Sequence, residues 1–250
     1  MNLFFISDLH ITDSEDPLYH SLLVLIRQKA QKGDVLVFAG DLFDLFVGNK
    51  SIFTRRYHEF LASLKDAGSR GVVMHYIEGN HDFLIQKTFS LIPGMTVHPH
   101  DVDIEVSGKR FFVAHGDTVD RSDIPYIVSR LFFRSFVMKL LIFLIPGRWL
   151  DQIGQLSSQQ SRKLKPILPT RLPAARMKYL RTIYRNYAAE RLTEGYDYVV
   201  LGHCHDLDEM CFSVGGRSGQ YVNIGFPRIH GSLLTWSPGD KKIQRERLPV

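Results

Sequence analysis

Five short polar clusters carry the residue types from which a hydrolytic metal site is built. They are Asp8-Leu9-His10, Gly40-Asp41-Leu42-Phe43-Asp44, Gly79-Asn80-His81-Asp82, His115-Gly116-Asp117 and Gly202-His203-Cys204-His205. Asp, Asn and His offer hard oxygen and borderline nitrogen donors, which suit Mn²⁺, Fe²⁺ or Zn²⁺ better than ions that prefer thiolate. Taken singly, each cluster has a structural reading: a helix cap, a turn, or two histidines that are neighbours on a loop. Taken together, their donors fit a two-metal centre, provided that the fold brings them to one place.

The flanking sequence supplies that condition. Each cluster follows a short apolar run: Leu3 to Ile6, Val35 to Ala39, Val72 to Ile77, Phe111 to Ala114 and Tyr198 to Leu201. Runs of four to six residues, β-branched or aromatic and ending in turn residues, read as buried strands. Leu18 to Gln31 and Arg55 to Ala67 place apolar residues at intervals of three and four and read as helices. Strand, helix, strand, helix, strand is the order of an α/β layered fold, in which the C-terminal ends of the strands form one ligand-binding edge. Ser107-Gly108-Lys109 marks a hairpin, and turns at Gly215-Gly216 and Ser237-Pro238-Gly239 predict an antiparallel C-terminal third.

Composition narrows the classes. The chain has 250 residues, 44% hydrophobic and 23% charged, which is globular and excludes wholesale disorder or a multispan membrane protein. Two cysteines, Cys204 and Cys211, are too few for a disulfide framework. With no cleavable leader legible ahead of the first strand, the expected compartment is the cytoplasm. The net charge is +5, yet Arg121 to Glu190 holds thirteen Lys or Arg against three Asp or Glu. A mildly acidic body therefore carries a strongly basic segment. Such a segment attracts phosphate in nucleotides, nucleic acid or lipid headgroups, and its sign alone does not choose among them.

The five clusters, in this order and each behind a strand, resemble the calcineurin-like metallophosphoesterase superfamily. That resemblance implies a four-layer fold, a central β-sandwich flanked by helices, with two divalent metals at its edge. It implies that Asp8, His10 and His205 hold one ion, that Asn80, His115 and His203 hold the other, and that Asp41 bridges them. Two dications a few ångströms apart repel, and a shared carboxylate offsets that repulsion. Manganese is the expected metal, with iron or zinc also compatible, and a metal-activated hydroxide is the expected nucleophile. Asp44 is expected behind the ligands. His81 is expected to act on the leaving-group side, catalytically rather than as a ligand, with Asp82 orienting it through a hydrogen bond. Cys204 reads as structural.

Within that superfamily, "GDLFDLFVG", "GNHDFLI", "HGDT" followed by Asp123 and Tyr126, and the late "NIGFPRIHGS" are similar to the UDP-2,3-diacylglucosamine pyrophosphohydrolases of lipid A synthesis. The better-known members carry Arg where this chain has His81. The resemblance implies one domain over residues 1–250 with a helical cap insertion over 121–190. It implies release of 2,3-diacylglucosamine 1-phosphate and UMP from a nucleotide-sugar lipid bound through Asn80, His81, Asp123, Tyr126, Lys163 and Lys165. A metallophosphodiesterase or phosphatase acting on another nucleotide or phosphoester is the alternative.

The stretch "PYIVSRLFFRSFVMKLLIFLIP" from Pro125 to Pro146 is densely apolar but too short to span a bilayer. Packing against the body and contact with acyl chains or a membrane both remain open from its residues. Arg130 and Lys139 fall on opposite sides of a helical wheel, so it is not a cleanly amphipathic surface helix. The expected setting is peripheral attachment to an anionic membrane, at the inner face of the cytoplasmic membrane. No nucleic-acid partner is expected, since nothing resembles a nucleic-acid-binding module.

Overall fold

A computed structural model describes residues 1–152 and 173–249. Thirteen strands are found among them. Six form one sheet in the order β13 (Gln244–Arg247), β12 (Ser232–Trp236), β1 (Leu3–Ile6), β2 (Val35–Phe38), β4 (Val73–Ile77), β6 (Met95–His98). Five form a second in the order β10 (Glu209–Val214), β11 (Arg217–Asn223), β9 (Tyr198–Leu201), β8 (Lys109–Ala114), β7 (Asp101–Val106). β3 (Phe46–Val47) and β5 (Asp82–Phe83) make a short pair beside the first sheet.

Alternation along the strands explains the layers. On β1, Leu3 and Phe5 point into a core between the two sheets, while Phe4 and Ile6 point to the opposite side, toward the helices. On β2, Val35 and Val37 face the inter-sheet core while Leu36 and Phe38 face the helices. On β8 and β9, Phe111, Val113, Tyr198 and Val200 fill the same inter-sheet core, whereas Phe112, Ala114, Val199 and Leu201 meet Tyr184, Ala188 and Leu192 of the helix Ala174–Thr193. A strand buried on both faces reads as a continuous apolar run because both sides need apolar residues. The result is helices, sheet, sheet, helix: the four-layer α/β sandwich.

The expected strands are present, and both predicted helices are interrupted. The first runs over Pro17–Val24 and continues as a π-helical turn over Leu25–Lys29 before ending at Ala30. The second splits into Ser51–Arg56 and His58–Ser69 at Tyr57. Tyr57 is buried and its hydroxyl donates to the carbonyls of Ile11 and Thr12, a tertiary demand that overrides helical continuity. The C-terminal third is not wholly antiparallel: β9 runs parallel to both β8 and β11. The turns after Val106, Val214 and Trp236 do connect antiparallel neighbours, as expected.

Candidate active site

The loops after β1, β2, β4, β8 and β9 meet at one edge of the sandwich, and that edge holds all five polar clusters. The loops cross closely. Asp8 and His10 donate their backbone N–H groups to the carbonyls of Gly40 and Asp41, both at 3.1 Å. His203 N–H donates to both Asp8 carboxylate oxygens, at 3.0 and 3.1 Å. Asp8, His10, Asp41, His203 and His205 all adopt left-handed backbone, with φ between 47° and 66°. That conformation costs a non-glycine residue on the order of 1 kcal/mol or more, and it persists only where surrounding contacts over-determine it. A β-carbon at Gly79 would lie 2.1 Å from Asp41 Oδ1 and 2.6 Å from Asp41 N, so only glycine permits this approach.

Two donor groups result. In one, the ligand atoms of Asp8, His10 and His205 lie within 4.8 Å of one another; in the other, those of Asp41, His115 and His203 do. His10 Nε2 and His205 Nε2 are 3.2 Å apart, as are His115 Nε2 and His203 Nδ1. Two imidazole nitrogens bound to one ion at about 2.0–2.1 Å stand roughly 3.3 Å apart at a near-tetrahedral angle, so both pairs fit a shared cation. Asn80 Oδ1 lies 3.1 Å from His115 Nε2 and extends the second group. Asp41 Oδ2 sits between the groups, 3.9 Å from His10 Nε2 and 3.5 Å from His115 Nε2. Its Oδ1 accepts from His81 N at 2.9 Å.

Electrostatics prepare these donors for a cation, with the His115 proton to be released when one binds. Burial alone would raise the Asp41 carboxyl, but the His115 imidazolium, pushed up to about 10 against burial by the Asp41 and Asp8 carboxylates, outweighs it and holds the group well below the usual range. Burial and His115 push His203 down to about 4, and burial with His81 pushes His10 well down. Both therefore stand ready as neutral imidazoles, the ligand form. His115 donates Nδ1–H to the Ala39 carbonyl at 2.9 Å, which turns Nε2 toward the site.

His81 is fixed in the same manner. The Asp44 carbonyl can only accept, so the 2.8 Å contact with His81 Nδ1 places a proton there and leaves Nε2 for the site. Asp82 does not orient His81, contrary to expectation. Its Oδ1 accepts from Asp41 N and Gly79 N, and its Oδ2 accepts from Leu42 N and Tyr76 Oη, between 2.7 and 2.9 Å. Asp82 opens the short strand β5, and through these four bonds it turns inward and holds the Asp41 loop. Asp44, with His10 and His81, forms a third group of closely spaced donors.

Of the expected substrate contacts, Tyr126 donates to Asp117 Oδ2 at 2.8 Å and its ring lies 5.8 Å from that of His203. Asp123 caps the helix Ile124–Arg134 by accepting from Tyr126 N. Lys163 and Lys165 lie outside the described residues. Cys204 accepts from Asn223 Nδ2 at 3.1 Å, and burial pushes its thiol up, as a structural residue requires.

Three supports come from "NIGFPRIHGS". Phe226 stacks on His205 with centroids 4.4 Å apart, Asn223 donates to the Gly202 carbonyl, and Arg228 Nη2 donates to the carbonyls of Leu9 and His10. The motif's placement was visible in the sequence, but its contacts are tertiary and were not.

Residues 1–207 match the family description calcineurin-like phosphoesterase. The chain belongs to that family. As a calcineurin-like phosphoesterase it is an enzyme that hydrolyses phosphoester or diphosphate bonds with divalent metal ions. It is similar to the UDP-2,3-diacylglucosamine hydrolase of Serratia proteamaculans, at 32% identity over 94% of both chains. The Yersinia enterocolitica protein of the same name is 30% identical, again over 94% of both. Among solved structures, an archaeal phosphodiesterase matches with 13% identity and a TM-score of 0.45, covering 99% of this chain and all of the other.

Proposed function

We propose that this phosphoesterase cleaves the diphosphate bond of UDP-2,3-diacylglucosamine, giving 2,3-diacylglucosamine 1-phosphate and UMP. The observation that carries the reading is an apolar surface fastened directly to the metal edge. The helices Ile124–Arg134 and Phe136–Leu144 expose Val128, Leu131, Phe132, Phe136, Val137 and Phe143, while Tyr126 and Arg130 on the first of them grip Asp117. A site for a small hydrophilic phosphoester has no use for such a surface, whereas a diacyl sugar needs one. The full-length similarity to enzymes named for this substrate supports the same choice.

The roles follow from placement. Asp8, His10 and His205 would hold one ion, and Asn80, His115 and His203 the other, with Asp41 between them. When bound, the ions supply positive charge for the phosphoryl oxygens and a water acidified to serve as nucleophile. His81, its Nδ1 proton committed to Asp44, presents Nε2 to donate a proton to the leaving oxygen or a hydrogen bond to the phosphoryl group. Asp82 keeps the Asp41 loop in its left-handed turn. Asn80, His81, Asp123, Tyr126, Lys163 and Lys165 are the proposed substrate contacts, within a single domain over 1–250 whose insertion over 121–190 forms the cap. Manganese is the proposed metal.

Among the described residues no helix is long and apolar enough to cross a membrane. Peripheral attachment at the inner face of the cytoplasmic membrane, through the exposed cap and without nucleic acid as a partner, completes the proposal. The test is a product assay with Mn²⁺ on UDP-2,3-diacylglucosamine, cyclic nucleotides, ADP-ribose and a phosphoprotein. UMP and the lipid phosphate are the expected products; hydrolysis of simple nucleotides with no action on the lipid would refute the assignment.

A further inference from the structure

Tyr126, Arg130 and Arg134 recur every four residues along Ile124–Arg134 and so share one stripe of the helix. The remaining surface carries the exposed Ile124, Val128 and Leu131. Tyr126 and Arg130 both donate to Asp117 Oδ2, Arg130 Nε at 2.5 Å. Arg134 reaches a different loop. Its Nη2 donates to the Gly79 carbonyl at 3.1 Å and the Glu78 carbonyl at 3.3 Å, and its Nη1 lies 3.5 Å from Glu78 Oε2 and donates to the Pro99 carbonyl. The Arg134 side chain is only 14% exposed, so these acceptors replace most of its hydration. A planar fork meets several acceptors at once, which an ammonium on a flexible stem does less well.

The location of these acceptors matters. Gly79 immediately precedes Asn80, and its Cα faces Asp41 too closely for any side chain. A shift of the Gly79 peptide therefore moves Asn80 and the wall against which Asp41 rests. We propose that Arg134 is a positioning residue that fixes the Glu78-Gly79-Asn80 backbone and thereby couples the geometry of the metal edge to the seating of the cap helix. This rests on the edge being the hydrolytic centre and not on the lipid being the substrate.

The experiment uses the full chain, Mn²⁺ and bis(p-nitrophenyl) phosphate, a small diester with no acyl chain to contact the cap. In Arg134→Ala, kcat falls at least about tenfold and half-activating Mn²⁺ rises about tenfold, the scale at which partners of metal ligands act. KM stays within about twofold, because the interaction lost is not one with the substrate. Arg134→Lys retains more activity than the alanine variant, and added methylguanidinium restores part of the alanine variant's kcat. Thermal melts establish that each variant is folded; if the alanine variant does not fold, Arg134→Lys against wild type carries the same comparison of kcat and Mn²⁺ dependence. A folded variant with wild-type kcat and Mn²⁺ dependence would overturn the proposal. So would an effect confined to KM for a lipid substrate, which would make Arg134 an anchor of the cap alone. Wild-type cleavage of the diester without cleavage of UDP-2,3-diacylglucosamine would refute the lipid reading and leave this comparison intact.

Discussion

At the strand edge Asp8, Asp41, Asp82 and His115 are almost wholly buried, and their carboxylates and imidazole are held by backbone groups of neighbouring loops. On the helices Ile124–Arg134 and Phe136–Leu144, the proposed cap, Phe136 and Phe143 are 79% and 77% exposed, and Ile142 is the one buried side chain. The edge gains its order from contacts that fix backbone in a costly conformation, which is the requirement for holding ligands to a fraction of an ångström. The cap gains its order from a few anchors: Tyr126, Arg130, Arg134, and Lys50 donating to the carbonyls of Phe143 and Ile145. Under the proposed function, chemistry is concentrated where the chain is over-determined, and selectivity where apolar surface is left for a ligand to cover.

That contrast predicts very different responses to substitution. The largest effect belongs to Asp41→Asn, which removes charge at the point shared by both donor groups. Activity on every substrate should fall more than about 100-fold and bound metal should drop, since even outer partners of metal ligands act at 10–100-fold; metal analysis beside kinetics checks it. Gly79→Ala sets a β-carbon against Asp41 backbone and carboxylate, neither of which can give way. Its loss should approach that of the asparagine variant, and retention of full activity would show the edge to be more pliant than described.

The cap should respond in the opposite manner. Replacing Phe136, Leu140 and Phe143 together by Ser should leave thermal stability and small-diester hydrolysis near wild type. It should raise KM for the diacyl substrate by at least about tenfold, because each apolar side chain covered by ligand contributes roughly 1.5–3 kcal/mol. Equal losses on both substrates would erase the distinction between the regions.

The smallest effect lies away from both. His75 Nδ1 and His98 Nε2 are 3.0 Å apart on neighbouring strands, and burial together with His98 pushes His75 down to about 4. Its folded value lies below the free one near 6.5, so the folded state binds fewer protons between those limits. Stability is therefore present above about pH 6.5 and lost as pH falls toward 4. In chemical denaturation across this window, His75→Gln should lose less stability on acidification than wild type.

Much of the edge was legible in the sequence because each strand is a continuous apolar run and each ends in a polar cluster, so identity and order survive without coordinates. The same runs pointed to an α/β layered fold, and the four-layer sandwich came from the family resemblance. What could not be read depended on where a side chain turns after the fold closes. Asp82 points inward to the Asp41 loop instead of toward its neighbour His81. Tyr57 breaks a helix to reach Ile11 and Thr12. The basic segment likewise looked like a phosphate-seeking surface, yet Arg130, Arg134, Arg176, Arg181 and Arg185 pair with Asp117, Glu78, Asp120, Asp206 and Asp208. Five of its thirteen cations thus fasten the segment to the acidic body. Exposed ion pairs of this kind contribute little each, but the half-buried ones near the edge fix register.

The central claim is that one buried metal edge performs hydrolysis while the exposed cap selects a diacyl substrate. The most direct measurement is the ratio of kcat/KM for UDP-2,3-diacylglucosamine to that for UDP-N-acetylglucosamine, which lacks the two fatty acyl chains, in wild type and in the triple serine variant of the cap. The account predicts a wild-type ratio above about 100 that falls at least about tenfold in the variant, in line with the apolar area removed. A wild-type ratio near one, or a high ratio unchanged by the cap substitutions, would contradict it.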